Sequence, residues 1–199
     1  MSSGDPLLEG IVLTLDGGGV IGIPTDTVYG IACRPDDPSA VERIYAIKQR
    51  PATMELSLLG AEVADLATLA VMSAAAYRLA AAFWPGPLSL IVPARRPSRL
   101  AIPRSGDSVS IRVPDHDLLR RLLRLTGPLA STSANLHGQS PAVSAAEAVA
   151  ALGDRLDAVL DGGPAKGRAS TIIDLVTTPP RVLRTGPLSA DELRPYLGG

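Results

Sequence analysis

The stretch GGGVIGIPTDTVYGI, residues 17–31, constrains the fold more than any other part of the chain. Its three leading glycines stop whatever comes before them, because glycine weakens a helix and favours the conformations that end one. Val20 to Ile23 is then a short β-type apolar run, Pro24 ends it, and Val28 to Cys33 begins a second. Between the two runs stand Thr25, Asp26 and Thr27, two hydroxyls and a carboxylate held where a strand end presents a binding site. Gly17, Gly19 and Gly22 match GxGxxG letter for letter, but that pattern marks dinucleotide binding only between a strand and the helix it opens. Here helical spacing precedes it and a β run follows.

The remaining segments alternate in type. Leu7, Leu8, Ile11, Val12 and Leu15 have helical spacing, predicting a helix over residues 6–15 that the glycines end. Asp37, Pro38 and Ser39 open a second helix that delivers Lys48, Gln49 and Arg50 at its end before Pro51. A short strand at 56–59 is followed by two Ala- and Leu-rich helices within 61–83. Strands are predicted at 87–92 and 108–113, on either side of a Pro- and Arg-rich loop over 93–106, and a helix at 115–125 with Asp115 as its cap. A strand at 128–131 runs into TSAN; a helix follows at 144–152, with Ser144 and Glu147 spaced as a capping box. Strands at 158–160, 171–176 and 182–183 precede a last helix from Ser189. Interleaved strands and helices give an α/β class: one domain over residues 1–199, with a twisted mixed parallel and antiparallel sheet and flanking helices.

Composition excludes several functions. A net charge of −1 argues against a general polyanion binder, although a local basic cleft remains open. One cysteine, Cys33, rules out an internal disulfide or a thiolate metal cluster, and its apolar setting reads as a small buried hydrophobe. The start lacks a basic signal-peptide region and no apolar run reaches the ~18 residues of a membrane span, so the expected location is cytoplasmic, without membrane contact. There is no GxxxxGK[ST], HExxH or GxSxG, and His116 and His137 stand alone. What remains is a set of polar residues at strand and helix ends: Thr25, Thr27, Lys48, Arg50, Arg112, Ser131, Ser133, Asn135, Ser170 and Arg184. Singly each has an ordinary reading as a cap, a turn or a helix-dipole partner. Their recurrence just after apolar strands favours one shared anion-binding cleft.

IPTDTVYGI, KQRP, FWPGPLSLIVPA, SIRVP, PLASTSANLHGQSP, ASTIIDL and VLRTGPL occur in the order seen in the Sua5/YrdC family, and the chain resembles its short single-domain form over about residues 7–197. The resemblance implies a YrdC-like domain around a basic concave cleft. It also implies L-threonylcarbamoyladenylate synthase activity, in which ATP, L-threonine and bicarbonate give threonylcarbamoyl-AMP and pyrophosphate. The product would feed a tRNA threonylcarbamoyl transferase complex making N6-threonylcarbamoyladenosine, with weak RNA binding conceivable and Mg²⁺ accompanying ATP. It assigns Lys48, Arg50, Ser133 and Asn135 to catalysis at the phosphates, and Thr27, Arg112, Ser131 and Ser170 to threonine. Ser108, Pro141 and Arg184, with Lys48, Arg50 and Ser133, would hold the nucleotide, and Tyr29 would pack at the pocket wall.

One segment departs from the family pattern. After KQRP come Ala52, Thr53, Met54, Glu55 and Leu56 where the family usually reaches Pro-Leu, and Leu59 stands where longer members carry a histidine. A carboxylate ~4 Å from a phosphate at an effective dielectric of ~20 costs about 4 kcal/mol, so Glu55 is expected to point away or the site has changed. Two alternatives stay open: a paralogue making carbamoyl-adenylate from carbamoyl phosphate, and a noncatalytic RNA-binding module.

Overall fold

The computed structural model describes residues 5–49, 56–96, 100–102 and 107–197. Helix α1 (Pro6–Asp16) starts where the Asp5 carboxylate accepts the Leu7 N–H and stops at the glycines. After it come β1 (Ile21–Ile23), β2 (Gly30–Cys33) and α2 (Pro38–Lys48), the last capped by Asp37 through the Ala40 N–H. The middle of the chain holds β3 (Ser57–Leu59), α3 (Val63–Ala67), α4 (Ala74–Phe83), β4 (Leu88–Pro93) and β5 (Ser108–Arg112). Then follow α5 (Asp117–Thr126), β6 (Leu129–Ser133), α6 (Ala145–Leu152), β7 (Ala158–Val159), β8 (Thr171–Asp174), β9 (Arg181–Arg184) and α7 (Ala190–Leu193).

Two helix starts differ from the sequence expectation. The α5 cap is His116, whose Nδ1 accepts the Leu119 N–H at 3.4 Å, and not Asp115. The Asp115 N–H is taken by the Asp26 carboxylate at 3.1 Å, a long-range bond that keeps the chain extended past residue 115. At α6, Ser144 caps as expected, but the Glu147 carboxylate takes the N–H of Val143 and not that of Ser144, so the capping box is only half formed.

The sheet order is β7-β1-β2-β6-β3-β5-β4-β8-β9. The β1–β7, β3–β5 and β4–β8 pairs are parallel and the others antiparallel, as a mixed sheet requires. Alternation gives each strand two faces. On one, Ile31, Ala130, Leu58, Ile111 and Leu90 join the buried sides of α2, α4 and α6 in the larger core. On the other, Ile21, Ile23, Ala32, Leu59 and Leu129 pack under Leu8, Ile11 and Leu15 of α1 and Leu119, Leu122 and Leu123 of α5. These two helices cover only part of that second face. Toward β5, β4, β8 and β9 it turns polar, and a cleft opens there.

Candidate active site

The polar face is written into the strand sequences. LASTS, SVSIR and LSL alternate serine or arginine with aliphatic residues, so Ser131 and Ser133 of β6, Ser110 and Arg112 of β5, and Ser89 of β4 share one side. Ser131, Ser133, Arg112 and Ser89 line a cavity of about 430 Å³. Three cations enter it from three elements: Lys48 from the end of α2, Arg112 from the end of β5, and Arg184 from the end of β9.

Arg112 is 5% exposed and fixed on three sides. Its Nε donates to the Gly86 carbonyl at 2.9 Å, one terminal nitrogen to the Thr27 hydroxyl at 3.0 Å, and the other to the Asp26 carboxylate at 2.5 Å. A Cβ on Gly86 would stand 2.3 Å from the Phe83 carbonyl oxygen, so only glycine lets the chain present that carbonyl. Burial lowers the Arg112 pKa, opposed by the Asp26 carboxylate, and the nearby Arg184 lowers it further. Burial also lowers Arg184, whose Nε donates to the Ser170 carbonyl and whose terminal nitrogen donates to the Ser170 hydroxyl, at 2.9 and 3.0 Å. Ser170 Oγ in turn meets Ser89 Oγ at 2.9 Å. Two guanidiniums, one of them near enough to lower the other's pKa, make a site whose field favours an anion.

The PTDT turn supplies the opposite wall. Thr25 Oγ1 donates to the Val28 carbonyl at 2.6 Å, accepts the Thr27 and Val28 N–H groups, and lies 2.9 Å from Thr27 Oγ1. The Thr27 hydroxyl is thereby set against Arg112. Behind it the Tyr29 hydroxyl accepts the Gly162 N–H and donates to the Gly163 carbonyl, tying the loop after β7 to the wall.

At the other end, the Lys48 ammonium is 2% exposed and donates to the Ser133 carbonyl at 2.6 Å, the Asn135 carbonyl at 2.9 Å and Asn135 Oδ1 at 3.0 Å. Asn135 Oδ1 also accepts from Ser133 Oγ at 2.5 Å, while its amide donates to the Leu136 and Gln139 carbonyls. Lys48 therefore buttresses the STSAN turn and keeps its positive charge against the cavity.

Thr27, Lys48, Arg112 and Ser131 line one cavity, as do Ser133, Asn135, Pro141, Ser170 and Arg184. Ser108 is buried on the same sheet face at the start of β5 but is not among the lining residues. Arg50, Met54 and Glu55 lie outside the described residues. Leu59 lines the cavity beside Arg112 in the β3–β5 register and roots in the smaller core. Asp26, read from sequence as part of the polar PTDT cluster but given no role of its own, is the buried partner of Arg112. Ser57, Ser89 and Ser110 have no place among the sequence-derived site residues; their signal is the serine-aliphatic alternation, which singly reads as ordinary strand. Cys33 is fully buried with its thiol pushed up to about 12, mainly by desolvation, so it serves the core.

The Sua5/YciO/YrdC family model, described as telomere recombination, matches residues 14–186. A threonylcarbamoyl-AMP synthase of Vibrio campbellii is 36% identical over 183 residues, 89% of this chain and 98% of that protein. The crystal structure of Pyrococcus abyssi Sua5 complexed with L-threonine superposes with a TM-score of 0.90 at 34% identity, over 96% of this chain and 57% of that one. Escherichia coli YciO superposes with a TM-score of 0.86 at 29% identity, over 94% and 93%. The chain belongs to the Sua5/YciO/YrdC family.

Proposed function

We propose that the chain is a threonylcarbamoyl-AMP synthase, which joins ATP, L-threonine and bicarbonate into threonylcarbamoyl-AMP and pyrophosphate. Arg112 carries the reading. Three of its five N–H groups hold it rigidly against Gly86, Thr27 and Asp26, which leaves one on each terminal nitrogen for a carboxylate in the cavity. The Vibrio relative's name and the threonine complex of the Pyrococcus protein support the same assignment.

The chemistry needs no protein nucleophile. Bicarbonate takes up a proton and loses water to give carbon dioxide. The threonine amine forms a C–N bond to that carbon, and its proton leaves to solvent. A carbamate oxygen then attacks the α-phosphorus of ATP, and the bond to the bridging oxygen breaks, its electron pair leaving with pyrophosphate. What remains for the protein is alignment and charge. Arg112 and Thr27 fix the amino acid, Lys48 sets positive charge at the STSAN end for the phosphates, and Arg184 with Ser170 borders the nucleotide.

Mg²⁺ is proposed to arrive on ATP, held by phosphate oxygens and water, and to neutralise phosphate charge. The donor set fits that arrangement: among the described residues no three His, Cys, Asp or Glu side chains cluster, and the Asp26 carboxylate is engaged by Arg112 and the Asp115 N–H. No described helix is long and apolar enough to cross a membrane. The product is a reactive mixed anhydride that a transferase would consume, and the family resemblance names tRNA adenosine as the acceptor.

Steady-state release of pyrophosphate from ATP tests the proposal. Release should require both threonine and bicarbonate, and release that ignores either one contradicts it.

A further inference from the structure

The geometry points to a subsite for the bicarbonate-derived carbamoyl group on Ser57 and Ser131, with Ser110 as a positioning residue beneath Ser57; this rests on the synthase reading above. Ser57 pairs in register with Ser131 on one side and Ser110 on the other, so three hydroxyl side chains form a row across β6, β3 and β5. Ala32 opposite Ser131 and Ile91 opposite Ser110 bound the row at both ends. Arg112 lies two residues beyond Ser110 on the same face. Ser133 lies two residues beyond Ser131 on an antiparallel strand, hence on the other side of the row. Each step is about 6.8 Å at the strand rise. The hydroxyl row thus lies between the guanidinium proposed to take the threonine carboxylate and the Lys48, Ser133 and Asn135 end proposed to face the phosphates. In threonylcarbamoyl-AMP the carbamoyl group is the link between the amino-acid nitrogen and phosphorus. A ligand held at both ends carries that link over these hydroxyls.

The hydrogen-bond inventory agrees. Ser57 Oγ and Ser110 Oγ are 2.7 Å apart, and one O–H···O bond uses one of their two protons. When Ser110 donates, the Ser57 proton is free for the cavity that Ser57 lines. Ser131 Oγ also lines the cavity, is 6% exposed and has no hydrogen-bond partner among the described residues. A buried hydroxyl without a partner is costly and uncommon in a folded protein. The row therefore offers donors and no carboxylate, which complements the two oxygens of a carbamate.

The test is pyrophosphate release in carbon-dioxide-free buffer, with bicarbonate, threonine and ATP each varied in turn. Ser57→Ala should raise the bicarbonate KM about tenfold, the loss expected for one hydrogen bond to a charged acceptor, while the threonine and ATP KM values stay within about twofold. Ser110→Ala should move the same constant by about threefold, and Ser57→Thr, which keeps the hydroxyl, should hold it near the wild-type value. An active wild type whose bicarbonate KM is unmoved by Ser57→Ala overturns this subsite alone. Threonine and ATP KM values that rise as far as that for bicarbonate also overturn it. A wild type without threonine- and bicarbonate-dependent release overturns the synthase reading and the subsite together.

Discussion

The Asp26 carboxylate meets the Arg112 guanidinium at 2.5 Å across 86 residues of sequence, with the two side chains only 4% and 7% exposed. Two charges taken out of water depend on each other, and removing one leaves the other buried and uncompensated. Asp26→Ala should cost about 3–5 kcal/mol in urea unfolding and raise the threonine requirement, since it frees one anchor of the guanidinium. A loss below about 1 kcal/mol would mean that water reaches the pair.

Asn135 ties the opposite end of the cleft. Its side chain accepts from Lys48 and Ser133 and donates to two backbone carbonyls. Asn135→Ala should destabilise the fold by about 2–4 kcal/mol, because the Lys48 ammonium loses an acceptor and two carbonyls lose their donor. The ATP KM should rise more than the threonine KM. Equal changes in both would place Lys48 outside the phosphate end.

Gly86 reaches Arg112 through its carbonyl. Because an added Cβ would stand 2.3 Å from the Phe83 carbonyl, Gly86→Ala must shift the backbone that receives the Arg112 Nε. The expected result is a cost of about 1–3 kcal/mol in thermal or chemical unfolding, with a raised threonine KM. Wild-type threonine affinity in this variant would show that the Asp26 and Thr27 contacts suffice.

Cys33 gives a pH dependence. Burial raises its pKa from 9.0 to about 12, so the unfolded thiol ionises before the folded one. Its contribution to stability is complete below pH 9.0 and is lost as pH rises toward about 12, at a limiting slope of about 1.4 kcal/mol per pH unit. The stability difference between wild type and Cys33→Ala should therefore shrink across that window. A difference independent of pH would show the thiol to be solvated.

Much of this was legible because local rules agree with the fold. The glycines after α1, the Asp37 cap and Pro38 of α2, and the start of α7 at Ser189 each appear where their chemistry requires. The site was legible wherever polar residues end an apolar run, as at Thr27, Lys48, Arg112 and Asn135. It was not legible where the partner lies far along the chain. The Asp26 carboxylate displaces the α5 cap from Asp115 to His116, and Ser57 becomes a cleft residue only beside Ser110 and Ser131. Register between distant strands sets both outcomes, and no local pattern reports it. The SVSIR alternation did carry a trace, since a strand with aliphatic residues on one side and serine and arginine on the other announces a polar sheet face.

The most direct test of the synthase reading is mass spectrometry of the product formed from ATP, L-threonine and ¹³C-bicarbonate. The cleft predicts a threonylcarbamoyl-adenylate that carries the label in its carbamoyl carbon, and an Arg112→Ala enzyme should form it only at much higher threonine. An unlabelled adenylate, or carbamoyl-adenylate formed from carbamoyl phosphate without threonine, would contradict it.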